Sequence, residues 1–312
     1  MKKILKNPVN LRDLFTEQGM DGLDFVSMDI GYDGKVYFLF SSGVPDRIDG
    51  MFVNTAANAA YTALVVTPSW ENGSVEKAEK LDLGKHAMNF HFIRPVPDGS
   101  ILLLGARCLY SEKNGPEKNA VFTDREGSVL RELTFGDGIA DCIVRNDGVI
   151  ITSYFDEGIF GNYGWEEPIG SCGLCAWTAD GSMIWRSERD ITDCYAINID
   201  ENGNLWYYYY TDFQLIRTDF STETEYDPMV EGADSFAVVE NGSLLIMDGG
   251  YEDSYSFHAG RIRNGRIEAP EPLEFVSEDG ISVTGVSIIW GGAKALVLTG
   301  DGDICFEDFS GH

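Results

Sequence analysis

Apolar and polar residues along the chain follow one pattern six times, in which an apolar run, a tight turn and a second apolar run succeed one another. The six segments read LDFVSMDIGYDGKVYFLF, NFHFIRPVPDGSILLLGA, ADCIVRNDGVIITSY, TDCYAINIDENGNLWYYYY, ADSFAVVENGSLLIMDGG and ISVTGVSIIWGGAKALVLTG. Their turn pairs are Asp33-Gly34, Asp98-Gly99, Asp147-Gly148, Asn202-Gly203, Asn241-Gly242 and Gly291-Gly292. Such pairs supply the positive φ angles of two-residue hairpin turns. Six of them, at steps of 65, 49, 55, 39 and 50 residues, predict a repeat protein.

A second hairpin follows several of the first ones. Candidate strands flank three further turn pairs: Ala120–Thr123 with Val129–Phe135, Leu174–Thr178 with Met183–Trp185, and Arg261–Arg263 with Arg266–Ile267. Two successive hairpins make a four-stranded antiparallel sheet, and about 50 residues per sheet is typical of propeller blades. The sequence therefore predicts an all-β fold, a single six-bladed β-propeller domain over residues 1–312. The predicted blades are 22–83, 89–135, 139–187, 193–228, 233–275 and 281–309.

The last blade lacks one strand in this reading. We expect the N-terminal segment, at residues 3–11, to supply it and close the ring, which also removes an exposed sheet edge. Helical patterns are short and confined to the vicinity of Asn10–Gln18 and Asn54–Thr62. An α/β fold would need amphipathic helices between successive strands, so the pattern disfavours it.

The x-x-D-G-x-h-h-h hairpins resemble six-bladed propellers of the NHL, YWTD and gluconolactonase-like kind. The stretch from ADCIV through SYFDEGIFGNYGW to GLCAW also resembles a group of uncharacterised bacterial propeller-like proteins. The gluconolactonase-like resemblance implies a divalent metal held by a Glu from an early inner strand and by an Asn and an Asp from later ones. This chain has Asp24, and not a Glu, at the early position, with Asn89, Asp141 and Asp193 as later candidates.

Long connections after the second strand of a blade all lie on one rim of a propeller, where sites gather. Four segments have this position: 41–60, 108–119, 156–165 and 249–258. Long loops on a rigid scaffold are a common means of recognition. Their carboxylates and aromatic or imidazole rings are the candidate ligand-binding residues: Asp156, Glu157, Tyr163, Trp165, Tyr110, Tyr255 and His258.

The starts of the inner strands carry a second set of polar residues. The equivalent positions hold Asp24, Asn89, Asp141, Asp193 and Asp234. Several convergent oxygen ligands suit Ca²⁺ or another divalent cation, which is the only cofactor that the pattern suggests. The alternative is local, because Asp and Asn also accept hydrogen bonds from nearby backbone N–H groups where a loop becomes a strand.

Composition restricts the partners. The net charge is −28, from 51 acidic and 23 basic residues, and such a surface repels nucleic acid and anionic membranes. Six cysteines are expected mainly as free thiols, and the chain is expected in the cytoplasm. For Cys172-Gly-Leu-Cys175, packing as small apolar side chains is favoured over the alternative of a structural metal or redox role. We therefore predict a protein that binds a small molecule, a sugar or a protein on the rim. A metal-assisted hydrolase or lactonase and a carbohydrate-active enzyme that uses rim carboxylates are the alternatives, and whether the protein is an enzyme stays open.

Overall fold

The computed structural model describes residues 1–268 and 270–310. Its fold is a six-bladed β-propeller built from six four-stranded antiparallel sheets, which confirms the predicted class. Two compact units divide the chain, one made of Met1–Glu17, Thr67–Lys77 and Tyr195–His312, the other of Gln18–Val66 and Ala78–Cys194. The assignment of residues 1–312 to one domain stays a prediction.

The N-terminal segment contributes strands to two sheets. It consists of β1 (Lys2–Ile4), β2 (Val9–Asn10) and α1 (Leu11–Glu17). The Asn10 side-chain oxygen accepts a hydrogen bond from the Asp13 backbone N–H, 3.2 Å away, as a helix N-cap does. The helix predicted near Asn10–Gln18 is thus confirmed.

The first three sheets follow the chain in order. The first contains β3 (Asp24–Ile30), β4 (Val36–Ser41), β5 (Ala56–Pro68) and β6 (Val75–Met88). The second contains β7 (Phe92–Pro95), β8 (Ile101–Leu104), β11 (Ala120–Thr123) and β12 (Val129–Leu133), and a small hairpin of β9 (Tyr110–Ser111) and β10 (Gly115–Pro116) separates β8 from β11. The third contains β13 (Ile139–Val144), β14 (Ile150–Tyr154), β15 (Leu174–Trp177) and β16 (Met183–Arg186), with α2 (Asp156–Phe160) after β14.

The last three sheets repeat this order. The fourth contains β17 (Asp193–Ile199), β18 (Leu205–Tyr210), β19 (Gln214–Thr218) and β20 (Glu223–Tyr226). The fifth contains β21 (Phe236–Val239), β22 (Leu244–Gly249), β23 (Asp253–Arg263) and β25 (Glu271–Val276), with β24 (Arg266–Ile267) paired to β23. The sixth contains β26 (Ser287–Gly291), β27 (Lys294–Leu298) and β28 (Asp303–Asp308).

The fourth strand of the sixth sheet comes from the N-terminal segment, as predicted. Val9 and Asn10 of β2 pair antiparallel with Ile304 and Asp303 of β28. A second pairing of this segment was not predicted. Strand β1 lies parallel to β25 and so extends the fifth sheet. The sequence pattern does not reveal it, since three residues are too few for a periodicity.

The first four hairpin turns form at the predicted places but are one residue longer than predicted. The fifth is a four-residue loop between the paired Val239 and Leu244, and the sixth has only Gly292 and Ala293 between the paired Gly291 and Lys294. In the first, the Gly31 N–H donates to the Lys35 carbonyl and the Gly34 N–H donates to the Gly31 carbonyl, both at 2.8 Å. This is a three-residue loop in which glycine, with φ of 73° at Gly34, takes the left-handed conformation. The Asp33 carboxylate accepts the Lys35 N–H, which explains why Asp precedes the glycine.

One further local prediction was wrong, and another, the hairpin around Asn264-Gly265, is confirmed but does not supply the outer strand of its sheet. Residues near Asn54–Thr62 form the start of β5 instead of a helix, because their apolar side chains pack in the sheet, as buried Tyr61 does. In the fifth sheet the turn at Asn264-Gly265 leads only to the two-residue β24, and β25 takes the outer position.

The core lies between neighbouring sheets, where the second strands are buried on both faces. Leu39 and Tyr61 of the first sheet pack with Ile93 and Leu103 of the second in one buried cluster. All six residues of β4 and all four of β8 are buried. These strands are therefore apolar nearly throughout, and the loops at their ends remain available for recognition. Among the described residues, no helix is long and apolar enough to cross a membrane.

Candidate functional site

In each of the first three sheets, a long loop follows the second strand. We call residues 42–55, 105–119 and 155–173 the rim loops; they follow β4, β8 and β14. All three belong to one of the compact units. The structure therefore brings together three of the four segments that the sequence placed on one rim.

Tyr163 and Trp165 connect the rim loops through their polar ends. The Tyr163 hydroxyl donates a hydrogen bond to the Val53 carbonyl at 2.6 Å, and the Trp165 indole N–H donates to the Cys108 carbonyl, also at 2.6 Å. The Trp165 ring packs on Tyr110, with 5.3 Å between ring centroids. Both predicted aromatic residues are half-buried, so most of what they contact is neighbouring loop.

A buried arginine organises the base of the same loops. The Arg107 guanidinium lies 2.9 Å from the Asp137 carboxylate and 2.6 Å from the Glu157 carboxylate. The Tyr163 ring covers it, with 4.0 Å between the guanidinium carbon and the ring centroid. Asp137 also accepts the Cys108 N–H at 2.7 Å. Glu157, predicted as a ligand-binding acid, is thus partnered within the protein, and Asp156 beside it is exposed.

Burial shifts the titration of two groups near Arg107. It raises the pKa of Asp137 to about 6, and the Arg107 charge opposes that rise. Burial, with the Arg107 charge added, lowers the pKa of His91 to about 4. His91 is therefore neutral at pH 7 and accepts the Ala106 N–H through Nδ1, so it is a packed residue of the loop base.

Large apolar side chains stand exposed on the same three loops. We call them the apolar rim patch: Val44, Ile48, Met51, Phe52, Leu109, Tyr110 and Phe160. Met51 is 67% exposed and Phe160 is 69% exposed. Phe52 contacts Tyr163 edge to face at 6.3 Å, and the Tyr110 backbone N–H donates to the Tyr163 carbonyl. Exposed apolar groups of this size and number on one set of loops are typical of interaction surfaces.

The predicted metal ligands have different environments. Asp24 is exposed at the start of β3. Asn89 precedes β7 and donates through its amide to the Asn54 carbonyl at 3.0 Å. Asp234 precedes β21, and its backbone N–H donates to the buried Asp248 carboxylate at 3.0 Å. Within residues 1–268 and 270–310, no three His, Cys, Asp or Glu side chains are grouped as ligands for a metal ion.

Asp141 pairs with an arginine on the neighbouring inner strand. The Arg94 guanidinium of β7 lies 3.0 Å from the Asp141 carboxylate of β13 and also contacts Asp29 of β3. Arg94 is buried, and its charge satisfies both carboxylates. Burial raises the pKa of Asp29, and Arg94 opposes that rise. A protein cation therefore already neutralises the acids at this point of three inner strands.

Asp193 lies at the start of an inner strand, where burial and a neighbouring acid raise the pKa of its carboxyl group. It begins β17 and is half-buried. Burial raises its pKa to about 6, and the Asp156 carboxylate adds to the rise. A carboxyl group of this kind exchanges a proton in a physiological pH range.

In the other compact unit, Tyr255 and His258 differ in exposure to solvent. Tyr255 is exposed near the start of β23. His258 was predicted at the end of a rim loop, but it lies within β23, opposite Met247 in the strand register. It lines a small apolar pocket together with Val230, Met247 and Ile267. The prediction was wrong about its position because β23 begins five residues earlier, at Asp253.

A tyrosine cluster in this unit was missed in the sequence reading. Its rings are those of Tyr195, Tyr208, Tyr210, Phe213 and Tyr251. Tyr195 and Tyr251 share a hydrogen bond between hydroxyls at 2.5 Å, and Tyr251 is exposed. The run Tyr207–Tyr210 at the end of a second strand is the sequence signal for this cluster, but the run also fits an ordinary buried strand.

Comparisons with known proteins find similar solved structures at low sequence identity. No model of a known protein family matches the chain, and no curated protein matches it. Hsv2 of Kluyveromyces lactis is similar with a TM-score of 0.50 and 10% identity, over 89% of this chain and 72% of that one. Virginiamycin B lyase from Staphylococcus aureus gives a TM-score of 0.46 at 13% identity, over 97% and 87%. The WD40 beta propeller domain of Doa1 gives 0.45 at 14%, over 97% and 94%. Such low identities concern the fold alone.

Proposed function

We propose that this propeller is a binding protein whose partner is another protein, docked on the apolar rim patch. The observation that carries the proposal is the patch itself, presented by three loops that Tyr163 and Trp165 connect by hydrogen bonds. Loops held in this way lose little conformational entropy on binding. The patch also has the aromatic and methionine side chains that interface centres favour.

The charge of the chain specifies the partner further. A net charge of −28 favours a partner with basic residues around an apolar centre, because opposite charges accelerate encounter and like charges prevent it. Six free thiols are consistent with the predicted cytoplasmic location, which belongs to this proposal. A small molecule or a sugar as the ligand of the same loops is the competing outcome of the test below.

The predicted catalytic alternatives receive less support from the side-chain contacts. Glu157 of the rim carboxylate pair is bound to Arg107, and Asp141 of the metal candidates is bound to Arg94. Each of these acids would have to leave an ion pair before it served a sugar or a metal ion. These ion pairs favour protein binding over the two catalytic alternatives.

Site-specific photocrosslinking in cells tests the proposal. A benzophenone amino acid at Phe52 or Tyr110 should give a discrete adduct with another protein. The same group at Ile184, an exposed apolar residue on the outer strand β16, is the matched control and should give none. The adduct yield should fall with added salt if basic residues surround the contact. Equal labelling from Ile184, or no protein adduct from either rim position, would reject a protein partner.

A loop variant distinguishes the supporting contacts from the docking surface. Trp165→Phe removes the indole hydrogen bond to Cys108, and we expect it to cost about 1 kcal/mol of stability. Phe52→Ala changes an exposed ring, and we expect the melting temperature to stay unchanged while crosslinking from Tyr110 falls. If Phe52→Ala instead unfolds the protein, the ring is part of the core and the docking surface is wrongly placed.

A further inference from the structure

Two cysteines at the end of the third rim loop form a close thiol pair. Cys172 lies in the turn before β15, and Cys175 lies within that strand. Their sulfur atoms are 3.2 Å apart and share a hydrogen bond. Cys108, Cys142, Cys194 and Cys305 are buried, and in the sequence none of them belongs to a C-x-x-C pair.

The two thiols differ in access and in acidity. Cys172 is half-buried and Cys175 is buried. The hydrogen bond from Cys175 lowers the pKa of the Cys172 thiol, and the nearby Arg186 charge contributes in the same direction. The same hydrogen bond, together with burial, raises the pKa of Cys175. The pair therefore has one accessible sulfur with thiolate character and one protected sulfur, as redox-active thiol pairs do.

The local backbone supports this arrangement. The Gly173 N–H donates to the Gly170 carbonyl at 2.8 Å, and Gly173 has a φ of 75°, which bends the chain between the two cysteines. A side chain at Gly173 would contact Ile191 at 2.5 Å, so the position requires glycine. The bend places the Cys172 sulfur over the strand that contains Cys175. A disulfide needs sulfur atoms about 2.05 Å apart, so the two sulfur atoms, 3.2 Å apart, would have to approach by about 1 Å.

We propose that Cys172 and Cys175 form a reversible disulfide when the protein meets a hydroperoxide. The Cys172 thiolate attacks one peroxide oxygen, the O–O bond breaks, and the leaving hydroxide or alkoxide takes a proton from water. Cys172 is then a sulfenic acid. The Cys175 thiol attacks this sulfur, an S–S bond forms, the S–OH bond breaks, and water leaves with the thiol proton. Two electrons pass from the two sulfurs to the peroxide, and a dithiol restores the pair.

The disulfide would change the third rim loop. This loop leaves β14 and returns at β15, where Cys175 is paired with Thr152 in the sheet. Oxidation would connect the returning end of the loop covalently to the strand. The proposal goes beyond partner binding and does not depend on it, because the chemistry requires only the two thiols and an oxidant.

Differential alkylation of the intact protein tests the proposal. The folded protein is treated with low hydrogen peroxide, quenched, unfolded and alkylated with N-ethylmaleimide, and each cysteine is quantified by mass spectrometry. We expect Cys172 and Cys175 to lose alkylation together, at least about tenfold faster than buried Cys305. The mass of the peptide that contains both cysteines should fall by two hydrogen atoms. Dithiothreitol should restore both. Loss at the same rate as Cys305, or a lasting loss after dithiothreitol, would overturn the proposal.

Two matched variants identify the order of the steps. In Cys175→Ser the sulfenic acid at Cys172 should persist and react with dimedone, whereas Cys172→Ser should show neither adduct nor disulfide. A dimedone adduct at Cys175 in the second variant, or disulfide-linked dimers in place of the internal bond, would contradict the assignment. If Cys175→Ser fails to fold, Cys172→Ser and the comparison with Cys305 in the wild type still test whether the disulfide forms.

Discussion

Arg107 shows how one buried side chain organises a loop surface. Its guanidinium pairs with Asp137 and Glu157 and lies under the Tyr163 ring, so it joins residues from the second and third rim loops and the segment between them. A buried cation without such partners would cost several kcal/mol, which is why the three groups occur together. Tyr163 in turn contacts Phe52 and accepts the Tyr110 N–H, so this charged base supports two residues of the apolar rim patch.

Asp193 provides a pH-dependent prediction at the residue scale. Burial and the Asp156 carboxylate raise its pKa in the folded protein to about 6, above the value near 4 of an unfolded chain. The folded state therefore holds more protons between these values, and the free energy of unfolding should fall as pH rises from about 4 to about 6. Above that range the contribution stays constant. Carbon-13 NMR of the carboxyl groups should give a midpoint near 6.

Two variants check the origin of that shift. Asp156→Asn removes the neighbouring charge and should lower the pKa of Asp193, while Glu166→Gln, at another exposed acid of the same loop, should leave it unchanged. A midpoint near 4 in the wild type would show that Asp193 is solvated and not half-buried.

At this scale the sequence identified residue types better than their partners. Tyr163 and Trp165 were recognised as loop aromatics, but their hydrogen bonds to Val53 and Cys108 span 110 and 57 residues and follow no periodicity. The same holds for Arg107 and Glu157. Contacts of this kind depend on the packing of whole sheets, so a reading of local pattern cannot supply them.

At the scale of elements, glycine turns and apolar runs predicted most of the structure. Each second strand lies where its run predicted, because a strand buried on both faces needs continuous apolar residues. The outer strands were less visible. In the fifth sheet β25 carries two exposed acids, Glu271 and Glu274, in only six residues, and the prediction selected the shorter β24 instead.

The N-terminal strand offers a prediction with an internal control. Leu5 is 4% exposed and belongs to the core cluster of the fifth and sixth sheets, whereas the adjacent Ile4 is 50% exposed. We expect Leu5→Ala to lower the free energy of unfolding by about 2–5 kcal/mol. Ile4→Ala should change it by less than about 0.5 kcal/mol. Urea denaturation measures both, and equal effects would mean that the segment is not packed against the sheets.

At the scale of the whole molecule, charge is the dominant feature. With a net charge of −28, carboxylates repel one another across the surface. Raising NaCl from about 10 to about 150 mM shortens the screening length from about 30 to about 8 Å, so the melting temperature should rise. A variant with Glu71, Glu112 and Glu278, all exposed, changed to Gln should show a smaller rise. A melting temperature that falls with salt would indicate that attractive ion pairs outweigh the repulsion.

The pairing of β2 with β28 has a consequence for how the protein is made. Val9 meets Ile304, almost three hundred residues later in the chain. At about 5–20 residues per second, the ribosome needs roughly 15–60 s to reach that partner. During this interval the first ten residues wait without their sheet, while earlier blades are already complete. The sixth sheet is therefore completed when an early segment pairs with a late one, and a factor that covers Leu5 in the meantime would protect the nascent chain from aggregation.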